Sequence, residues 1–517
     1  MPEPLGVIGC ALWHAGISIS SCLLGNLVRN SPAADSESFS LPLHSSPPQP
    51  CSLYLLGVTV FDLSVEHQQP ARHNYRRYKL IVEMGGAGSP LDCCEEIPDE
   101  ESSQTPPGYV EEPLDECVRM FNDSLPFGKK HEFWETQPVC QFKDLGNPDL
   151  PEGPIEQSTP SSEVMQEPYA LPPELEWTTC DMTSEETSDE IYEFLNNNYV
   201  EDDENMFRFD YSKEFLRWAL CPPGYYKSWH VGFRDKASRK LVGFITGIPA
   251  RMRVRGEVID MAEINFLCVH KELRSRRLAP VLIKEVVRRF RLENIWQAAK
   301  TAGAYLPTPI ATCQYWHRSL NPTKLINIGF SSLPSRMTTS QVIHLYELPD
   351  TTSTPGFRKM GPHDVPAVTR LLRDYLTQFV VAPDFDEDTV RHWLLPIENV
   401  VDTFVVEHPD TGDITDFCSF SCIPLSILGN PDYSTLKAAY SYYNVSTKTP
   451  LDQLMNDALI VAKQRDFDVF NALHIMHNKT FLNELKFLPG SGYLHYYLYN
   501  YRLQDRLLPS ELGLVLL

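Results

Sequence analysis

The sequence contains no Cys-x-x-Cys pair, although it has 13 cysteines in 517 residues. Cysteine pairs at that spacing are typical of zinc sites, and regularly spaced cysteines in short secreted chains are typical of disulfide frameworks. Neither pattern occurs in this long chain. The cysteines are therefore predicted to be reduced thiols in a cytosolic compartment, and no metal site is predicted.

The chain also lacks a surplus of positive charge, because its formal net charge is −23. A general nucleic-acid binder neutralises phosphates with lysine and arginine, and repulsion would oppose such binding over most of this surface. Direct nucleic-acid binding is therefore not expected, and a partner is expected only where positive charge is local. The hydrophobic content of 42% supports a sizeable core, and the length allows about two to four domains.

A long uninterrupted hydrophobic run is missing as well. Residues 7–29 come nearest to one, but His14, Asn26 and several serines interrupt the run, and Glu3 precedes it instead of Lys or Arg. One interpretation is a signal peptide or a membrane span. A membrane-spanning helix needs about 20 predominantly apolar residues. The other interpretation is a flexible, poorly ordered extension.

Apolar residues are sparse between positions 30 and 125. This part is rich in Ser and Pro, and residues 91–117 hold ten acidic side chains without a Lys or Arg. Such a composition buries too little apolar surface to offset the entropy lost on ordering. Residues 1–125 are therefore predicted to form a mostly disordered N-terminal extension, with an isolated hairpin over residues 52–63.

The most informative stretch is 263–289, which reads EINFLCVHKELRSRRLAPVLIKEVVRR. Its first part, 264–269, is a short apolar run without Gly or Pro, as is typical of a buried strand. Leu278, Leu282 and Val286 then recur at helical spacing. The stretch therefore predicts a strand, a basic turn and a helix.

Four cations gather where this helix is predicted to begin, namely Lys271, Arg274, Arg276 and Arg277. A helix N-terminus is already partly positive, so each cation there costs about 0.3–1 kcal/mol at an exposed site. A bound polyanion removes the conflict, because phosphate accepts bonds from free N–H groups and pairs with arginine. From the spacing alone, a phosphate-binding turn and a solvated basic turn both fit.

Hydrophobic periodicity gives the remaining elements. Strands are predicted over 241–246 and 252–258 with a turn at 255–256, and another strand over 342–348. Helices are predicted over 184–198, 365–379 and 452–465. The two halves of this region share the element order helix, strands, helix, strand, although no repeat is visible in the residues.

The stretch 263–289 resembles the acyl-CoA site of the N-myristoyltransferase family, whose signature is close to EINFLCVHKxLRSKRLAPVLI. Similar stretches occur in family order, namely EFWETQPV (132–139), NNYVEDDENMFRFDYS (197–212), KLVGFITGIPA (240–250), TCQYWHRSLNP (312–322), LKAAYSYYNV (436–445), DVFNALHIMHNKTFLNELKF (468–487) and LGLVLL (512–517). The resemblance covers roughly residues 125–517. It implies an α/β (α+β) fold of two GNAT-like halves related by pseudo-two-fold symmetry, forming a saddle-shaped sheet flanked by helices.

The same resemblance implies an activity and a division of labour. Residues 126–350 are expected to bind myristoyl-CoA as a co-substrate, without a prosthetic group, and residues 351–517 to bind the peptide. The implied reaction moves myristate to the N-terminal glycine amine of nascent proteins. A cytosolic monomer is expected, with ribosome or membrane association through its N-terminal region.

The resemblance also assigns residues to tasks. Backbone amides of Phe266 and Leu267 would form the oxyanion hole, Asn265 and Thr301 would orient the amine, and the carboxylate of Leu517 would act as general base. The acyl-CoA residues are Glu132, Phe133, Trp134, Phe266, Leu267, Cys268, Val269, Arg274, Ser275, Arg276, Arg277, Leu278 and Ala279. The peptide residues are Tyr199, Val200, Asp202, Asp203, Phe207, Phe209, Gly303, Tyr315, His317, Ser419 and Tyr440. From the residues alone, the apolar end at 513–517 also fits a simple terminal strand.

Some positions depart from the family pattern. Pro489-Gly490-Ser491-Gly492 stands where Gly-Asp-Gly is usual, and His474 and His477 stand where acidic residues are common. These changes put the peptide preference in doubt and leave the acyl-CoA site untouched.

Three alternatives stay open. One is another GNAT enzyme, such as an N-terminal acetyltransferase, which acetyl-CoA competition would separate. The second is a non-catalytic acyl-CoA or acyl-peptide binding protein, which would bind without turnover. The third, a covalent acyl-enzyme on Cys268 or on a Cys313–His317 pair, competes with a core thiol and a structural histidine, and the resemblance implies direct transfer instead.

Overall fold

A computed structural model of the chain describes residues 131–200 and 206–516, and the backbone of three short strands before them. Contacts along the backbone divide the chain into two compact units, Met1–Leu125 and Pro126–Leu517. The predicted site residues Asp202, Asp203 and Leu517 lie outside the described ranges.

The first unit contains a small antiparallel sheet. Strand β1 (Tyr54–Leu55) pairs with β2 (Val58–Val60), which pairs on its other side with β3 (Val82–Met84). The pairing of two strands predicted over residues 52–63 is therefore confirmed, but the hairpin is not isolated, because β3 pairs with β2. The apolar run at 7–29 lies outside the described residues, and the disorder of 1–125 stays a prediction.

The second unit is a mixed α/β structure with a 13-stranded sheet. Its helices are α1 (Glu185–Asn198), α2 (Lys213–Leu220), α3 (Leu278–Leu292), α4 (Pro322–Asn327), α5 (Thr339–Leu345), α6 (Val365–Leu376), α7 (Glu387–Leu394), α8 (Leu451–Gln464) and α9 (Lys479–Leu482). Its strands are β4 (Leu175–Thr179), β5 (Phe207–Phe209), β6 (His230–Asp235), β7 (Leu241–Val254), β8 (Glu257–Val269), β9 (Gln297–Ala302), β10 (Ala311–Ser319), β11 (Phe357–Lys359), β12 (Val381–Pro383), β13 (Val401–Glu407), β14 (Ile414–Cys422), β15 (Leu425–Ile427), β16 (Thr435–Leu436), β17 (Ala438–Ser441), β18 (Val469–Leu473) and β19 (Leu488–Tyr499).

The strand order of the large sheet is β11-β13-β14-β17-β18-β10-β19-β9-β8-β7-β6-β4, with β12 added beside β7. Outward from the central antiparallel pair β10–β19, both directions repeat the same series: antiparallel, parallel, then three antiparallel pairs. The predicted pseudo-two-fold relation and the α/β class are therefore confirmed. Each half also pairs with a strand of the other, because β10 lies beside β18 and β19 lies beside β9. The boundary at residue 350 stays a prediction.

Helices cover both faces of the sheet around β7 and β8. Ile245 belongs to the same hydrophobic cluster as Val286 of α3, on one face, and Phe244 belongs to the same cluster as Phe215 of α2, on the other. Gly247 permits this close approach, since a Cβ there would lie 2.3 Å from a Phe290 ring carbon. The longest described helix, α3, has 15 residues, and among the described residues no helix is long and apolar enough to cross a membrane.

Two predicted elements are wrong. The strand predicted over 342–348 is absent: residues 342–345 end helix α5, and residues 346–348 follow it without regular structure. Helix α5 begins with a capping box between Thr338 and Gln341. Residues 241–246 and 252–254, predicted in two separate strands, lie in one continuous strand, β7. The predicted turn at 255–256 follows, and residues 257–258 begin β8. Residues 247–251 continue the strand because β8 pairs with them, from Gly247 opposite Ile264 to Arg251 opposite Asp260.

Candidate active site

Strands β8 and β9 pair along only part of their length. Their parallel ladder ends at Ile264 and Lys300, whereas β8 continues to Val269. Beyond the last pair, the described ladder no longer holds the two strands together. This β8–β9 gap opens toward the carboxyl ends of both strands, next to the basic turn.

A β-bulge shapes the edge of the β8–β9 gap. The register between β7 and β8 shifts so that Phe266 and Leu267 together lie opposite the single residue Ile245. Phe266 has a φ of 54°, in the left-handed region that residues with a side chain seldom adopt. A bulge leaves its extra residue out of the regular ladder and re-aims the chain, so the backbone amides at this edge face away from β7. The Phe266 N–H donates to the Tyr199 hydroxyl, the position at which a ligand oxygen would compete.

Aromatic rings cover one side of the bulge. The Phe266 ring centre lies 5.8 Å from that of Tyr199 and 5.2 Å from that of Tyr211, and Phe209 stacks on Tyr211 at 5.5 Å. Burial raises the pKa of the Tyr199 phenol, and the adjacent Phe266 backbone amide partly offsets the rise. Phe266 is only 3% exposed, whereas Leu267 is 37% exposed. The bulge thus has a buried aromatic side and an open side.

The residues predicted to orient the amine border the same gap. The Asn265 side-chain amide donates to Glu263 Oε1 at 2.8 Å, and the Asn265 carbonyl accepts from Thr246 Oγ1 at 3.0 Å. Thr301 directly follows the last paired residue of β9. Gly303 is exposed, and a Cβ there would meet no atom within 4 Å. Hydrogen bonds therefore fix both the side chain and the backbone carbonyl of Asn265, whereas Gly303, just past the end of β9, is exposed.

The basic turn combines free helix amides with cations. It forms a 3-10 helix, Lys271–Arg276, and Arg277 then takes a left-handed conformation with a φ of 56° before α3 begins. Among the described residues, no side chain caps the first amides of α3, and no acidic residue lies in its first turn. A helix N-terminus in this state is a ready anion site.

The arginines of the turn differ in how firmly they are held. Arg274 donates to the Asn198 carbonyl, and Arg276 pairs with Glu174. The Arg277 side chain is 84% exposed and lies 3.3 Å from Glu132. Ser275 is also exposed. Two cations are therefore anchored by the protein, and the third is the most accessible.

Residues 132–139, which include three of the predicted acyl-CoA residues, pack on the face of the sheet that α3 covers. Phe133 and Trp134 contact edge to face at 5.0 Å, and the Lys300 ammonium lies 4.4 Å from the Trp134 ring centre. One hydrophobic cluster unites the predicted acyl-CoA residues Phe133, Trp134, Val269, Leu278 and Ala279. Phe266 and Cys268 belong to the cluster on the opposite face.

Polar and aromatic side chains meet where β10, β17 and β18 adjoin. The Tyr315 and Tyr440 ring centres are 6.3 Å apart, and His317 Nδ1 lies 2.7 Å from Asn471 Oδ1. Asn471 also bonds to the Tyr440 hydroxyl. Burial, together with nearby Tyr199, Tyr440 and Tyr315, raises the pKa of Tyr211, so this cluster lies close to the rings beside the bulge. Asn471 is not among the predicted site residues. The sequence could have indicated it, because Asn471 is the one polar residue in the otherwise apolar strand β18.

Three other predicted peptide residues have different surroundings. Ser419 is 1% exposed, and its hydroxyl donates to the Tyr443 carbonyl at 2.7 Å and accepts from the Tyr443 N–H at 3.0 Å. Phe207 packs against Phe330 with ring centres 5.8 Å apart, whereas Val200 is exposed. Ser419 is therefore committed to bonds within the protein, and a peptide contact at these three residues stays a prediction.

The segment 489–492, which departs from the family pattern, lies against His317. A Cβ at Gly490 would come within 2.2 Å of His317 Nε2, and the Gln314 side chain donates to the Gly490 carbonyl at 2.8 Å. Ser491 is exposed. The departure therefore borders the predicted peptide residues directly.

The two unusual histidines separate in space. The His474 backbone N–H donates to the Gln314 carbonyl at 2.8 Å, on the side of the predicted peptide residues. His477 instead lies 5.5 Å from the rings of Tyr375 and Phe379. Only His474 therefore adjoins the strand that carries Tyr315 and His317.

The apolar segment near the end of the sequence is buried. The Gly513 N–H donates to the Val381 carbonyl at 2.9 Å, and the Val515 N–H donates to the Tyr443 hydroxyl at 3.1 Å. Three leucines of this segment are buried, namely Leu512, Leu514 and Leu516. The segment thus runs through the interior toward Leu517, which itself lies outside the described residues.

A cavity of about 440 Å³ lies beside this segment. Its wall is apolar at Met252, Trp393 and Val515, and its rim is acidic at Asp384 and Asp386. The described residues that line it do not include those of the bulge or the end of β9. The cavity therefore does not reach the bulge, but it borders the site, because its lining includes Glu263, which accepts from Asn265, and Leu514 and Val515 of the buried segment.

The cysteines near the site are poor nucleophiles. Burial raises the pKa of Cys268 to about 12, despite the opposing influence of Arg274 and Lys271, and burial also raises the pKa of Cys313. The thiolate is the reactive form of cysteine, so both side chains are largely unreactive near neutral pH. All described cysteines are free thiols.

Sequence profiles of one family match both halves of the chain. The profile described as Myristoyl-CoA:protein N-myristoyltransferase, N-terminal domain, matches residues 154–313. The profile described as the C-terminal domain of the same protein matches residues 327–514.

Known proteins agree with these profiles over most of the chain. Glycylpeptide N-tetradecanoyltransferase 1 of Arabidopsis thaliana is 67% identical over 431 residues, covering 80% of this chain and 99% of that relative. Glycylpeptide N-tetradecanoyltransferase 2 of Danio rerio is 53% identical over 387 residues, covering 75% and 77% respectively. The crystal structure of Saccharomyces cerevisiae N-myristoyltransferase with bound myristoyl-CoA matches with a TM-score of 0.72 and 40% identity, covering 75% of this chain and 100% of that one. The chain therefore belongs to the myristoyl-CoA:protein N-myristoyltransferase family.

Proposed function

We propose that the chain transfers myristate from myristoyl-CoA to the N-terminal glycine amine of proteins by direct attack. The observation that carries this proposal is the bulge at Phe266 and Leu267, at the edge of the β8–β9 gap. Backbone N–H groups at the bulge can donate hydrogen bonds to the thioester oxygen and stabilise the negative charge that grows on it during attack. The uncapped start of α3 and the basic turn would hold the phosphates of the same co-substrate.

The amine must lose a proton before it attacks, because a free α-amino group has a pKa of about 8. We assign this step to the carboxylate of Leu517. The buried course of residues 512–516 supports the assignment, since it leads the chain into the interior. Asn265 and Thr301 would hold the amine in attack geometry, which supplies a large part of the rate.

Direct transfer is favoured over a covalent acyl-enzyme. The raised pKa values of Cys268 and Cys313 leave little thiolate for such an intermediate. The free thiols of the described residues also suit a reducing compartment, and we propose that the reaction takes place in the cytosol.

A turnover assay tests the proposal. With myristoyl-CoA as donor, a peptide that starts with Gly should be acylated, and the same peptide starting with Ala should not. Excess acetyl-CoA should not inhibit the reaction, as it would if the donor were acetyl-CoA. Binding of myristoyl-CoA without turnover of the Gly peptide would contradict the proposal and favour a non-catalytic binding protein.

A further inference from the structure

Lys300 lies where β8 and β9 separate. It is the last residue of β9 that pairs with β8, opposite Ile264. Its ammonium lies between two aromatic rings, 4.4 Å from the centre of Trp134 and 4.4 Å from that of Tyr497. We propose that Lys300 faces the thioester sulfur of the bound acyl-CoA and donates a proton to the departing thiolate. The inference rests on the proposed function and adds a proton donor to it.

The side on which Lys300 lies follows from strand geometry. Side chains alternate along a strand, so Lys300 shares a face with Ala298 and lies opposite Thr301. Ala298 packs in the cluster that contains Trp134 and the residues of α3. Lys300 therefore lies on the side of the phosphate-binding turn, while Thr301 lies on the side assigned to the amine. In an acyl-CoA the sulfur is joined to the phosphates through the pantetheine arm, so a co-substrate whose phosphates lie at this turn brings its sulfur in from the side of Lys300.

The distance to the bulge is short. Phe266 and Leu267 follow Ile264 by two and three residues, which is about 7–10 Å along a strand. The amides assigned to the thioester oxygen and the Lys300 ammonium thus border one small region. A thioester held by these amides brings its sulfur into that region.

The surroundings of the ammonium favour proton donation. The two ring faces attract a cation without supplying a proton acceptor. The groups that face it are Trp134 from segment 132–139, Ile264 from β8, and Tyr497 from β19, whose pKa burial raises. Among the described residues no charged group perturbs it, and burial alone lowers the pKa of Lys300 to about 8. Lys300 is therefore still protonated near pH 7, yet its acidity is close to that of a thiol, whose pKa is about 8.5. Matched pKa values suit general acid catalysis.

The step balances. The amine nitrogen forms a bond to the carbonyl carbon, the carbon–sulfur bond breaks, and its electron pair stays on sulfur. The Lys300 proton then forms the CoA thiol and leaves a neutral lysine. The substrate ammonium gives one proton to the general base before attack, and the new amide nitrogen loses a second proton to solvent as the intermediate collapses. Lys300 regains a proton from solvent before the next turnover.

The test is a single-turnover assay, with enzyme in excess over myristoyl-CoA and with saturating Gly peptide. Lys300→Met keeps the apolar stem between the rings and removes the ammonium, so the rate should fall about 100-fold at pH 7. The dissociation constant of myristoyl-CoA should change by less than about threefold, because the lost interaction forms as the thiolate leaves. Lys284→Met is the matched control, because Lys284 lies over the Tyr169 ring at 6.0 Å and should leave the rate unchanged.

Two further readouts separate proton donation from a structural role. The ratio of the wild-type rate to the Lys300→Met rate should fall as the pH rises through about 8, because only the wild type loses this proton. Titration of the substrate amine changes both rates by the same factor, so it cancels in their ratio. Lys300→Arg should not restore the rate, since guanidinium does not release its proton in proteins.

A wild-type rate in Lys300→Met would overturn the inference. So would a pH-independent ratio, or full rescue by Lys300→Arg, which would show that charge alone suffices. If the wild type binds myristoyl-CoA but acylates no Gly peptide, the proposed function fails instead.

Discussion

Phe266 and Arg277 both adopt left-handed backbone conformations, one at the bulge and one at the start of α3. Such conformations cost about 1–3 kcal/mol each for a residue with a side chain, and surrounding structure must hold them in place. They lie at the two ends of the predicted co-substrate site. Neither residue type signals a positive φ, so periodicity predicted the strand and helix here but not the bulge between them.

Residue identity alone also left out Asn471 and Lys300. Both are polar residues in strands, and their importance comes from partners far along the chain: Asn471 bonds to His317, and Lys300 lies against Trp134 and Tyr497. No local pattern indicates such contacts. The family resemblance supplied the other site residues, and three of them, Asp202, Asp203 and Leu517, lie outside the described range.

Gly490→Ala should weaken use of the peptide. The new Cβ would come within 2.2 Å of His317 Nε2, so the imidazole must move. A displacement of about 1 Å can cost up to about 100-fold, and we expect kcat/KM for the peptide to fall about 10- to 100-fold. Steady-state kinetics with both substrates varied would measure this, with the KM for myristoyl-CoA unchanged.

Gly492→Ala is the control for that change, because its Cβ would have its nearest neighbour at 3.7 Å, an ordinary contact. If the two alanine variants lost peptide turnover equally, the loop as a whole would matter and the contact with His317 would not.

An alanine added after Leu517 should nearly abolish turnover, because it moves the proposed base by one residue. We expect the single-turnover rate to fall at least about 100-fold. Myristoyl-CoA affinity, measured by calorimetry, should stay within about threefold, because ground-state binding does not use the carboxylate. Leu517→Val keeps the carboxylate in place and serves as the control. Unchanged turnover in the extended chain would remove the assigned base from the mechanism.

Among the elements, those with strong periodicity were predicted well. Helix α3 begins at Leu278 and α6 at Val365, as their apolar spacing indicates. Helix α5 was mistaken for a strand because its short apolar run fits both periods, and the capping box that distinguishes them lies outside the apolar residues. Strand β7 was divided because tertiary pairing, which periodicity does not report, continues it through residues 247–251.

The start of α3 allows a test of the phosphate assignment. Arg277→Ala should weaken myristoyl-CoA binding about fivefold, or about 1 kcal/mol, since exposed ion pairs contribute modestly. The loss should shrink at high salt, because salt screens exposed charges. Titration calorimetry at two ionic strengths would measure both effects.

Arg255→Ala controls for the backbone and the charge. Arg255 also has a positive φ, 46°, and pairs with Glu152, but it lies in the turn at the other end of β7 and β8. An equal loss of affinity in both variants would argue that net charge, and not the basic turn, governs binding.

At the scale of the whole molecule, a buried histidine should limit acid stability. His230 is fully buried, and burial lowers its pKa from 6.5 to about 4. As the pH falls, His230 therefore binds a proton in the unfolded chain at a higher pH than in the folded chain. The free energy of unfolding consequently decreases between about pH 6.5 and pH 4. A shift of this size corresponds to about 3 kcal/mol. Urea denaturation at pH 7 and pH 4 should show a smaller loss in His230→Gln than in the wild type, whereas exposed His344→Gln should behave as the wild type. An identical pH dependence in all three proteins would contradict this account.

The symmetric sheet could be predicted only through the resemblance. Element order indicates two related halves, but the pairing of β10 with β18 and of β19 with β9 joins residues at least 150 positions apart. No periodic pattern indicates which strand lies at the centre of a sheet. The strand directions show the relation between the halves, although their residues do not.

The central pair of strands has a consequence for dissecting the protein. If the chain is cut between its halves, the N-terminal fragment contains β10 without its neighbours β18 and β19. Strand β9, which also loses β19, becomes an exposed edge. The C-terminal fragment would have the same defect at β18. Such fragments are expected to aggregate when made singly, since open edges template pairing between chains. Made together in one cell they should reassemble, each restoring the strand that the other lacks.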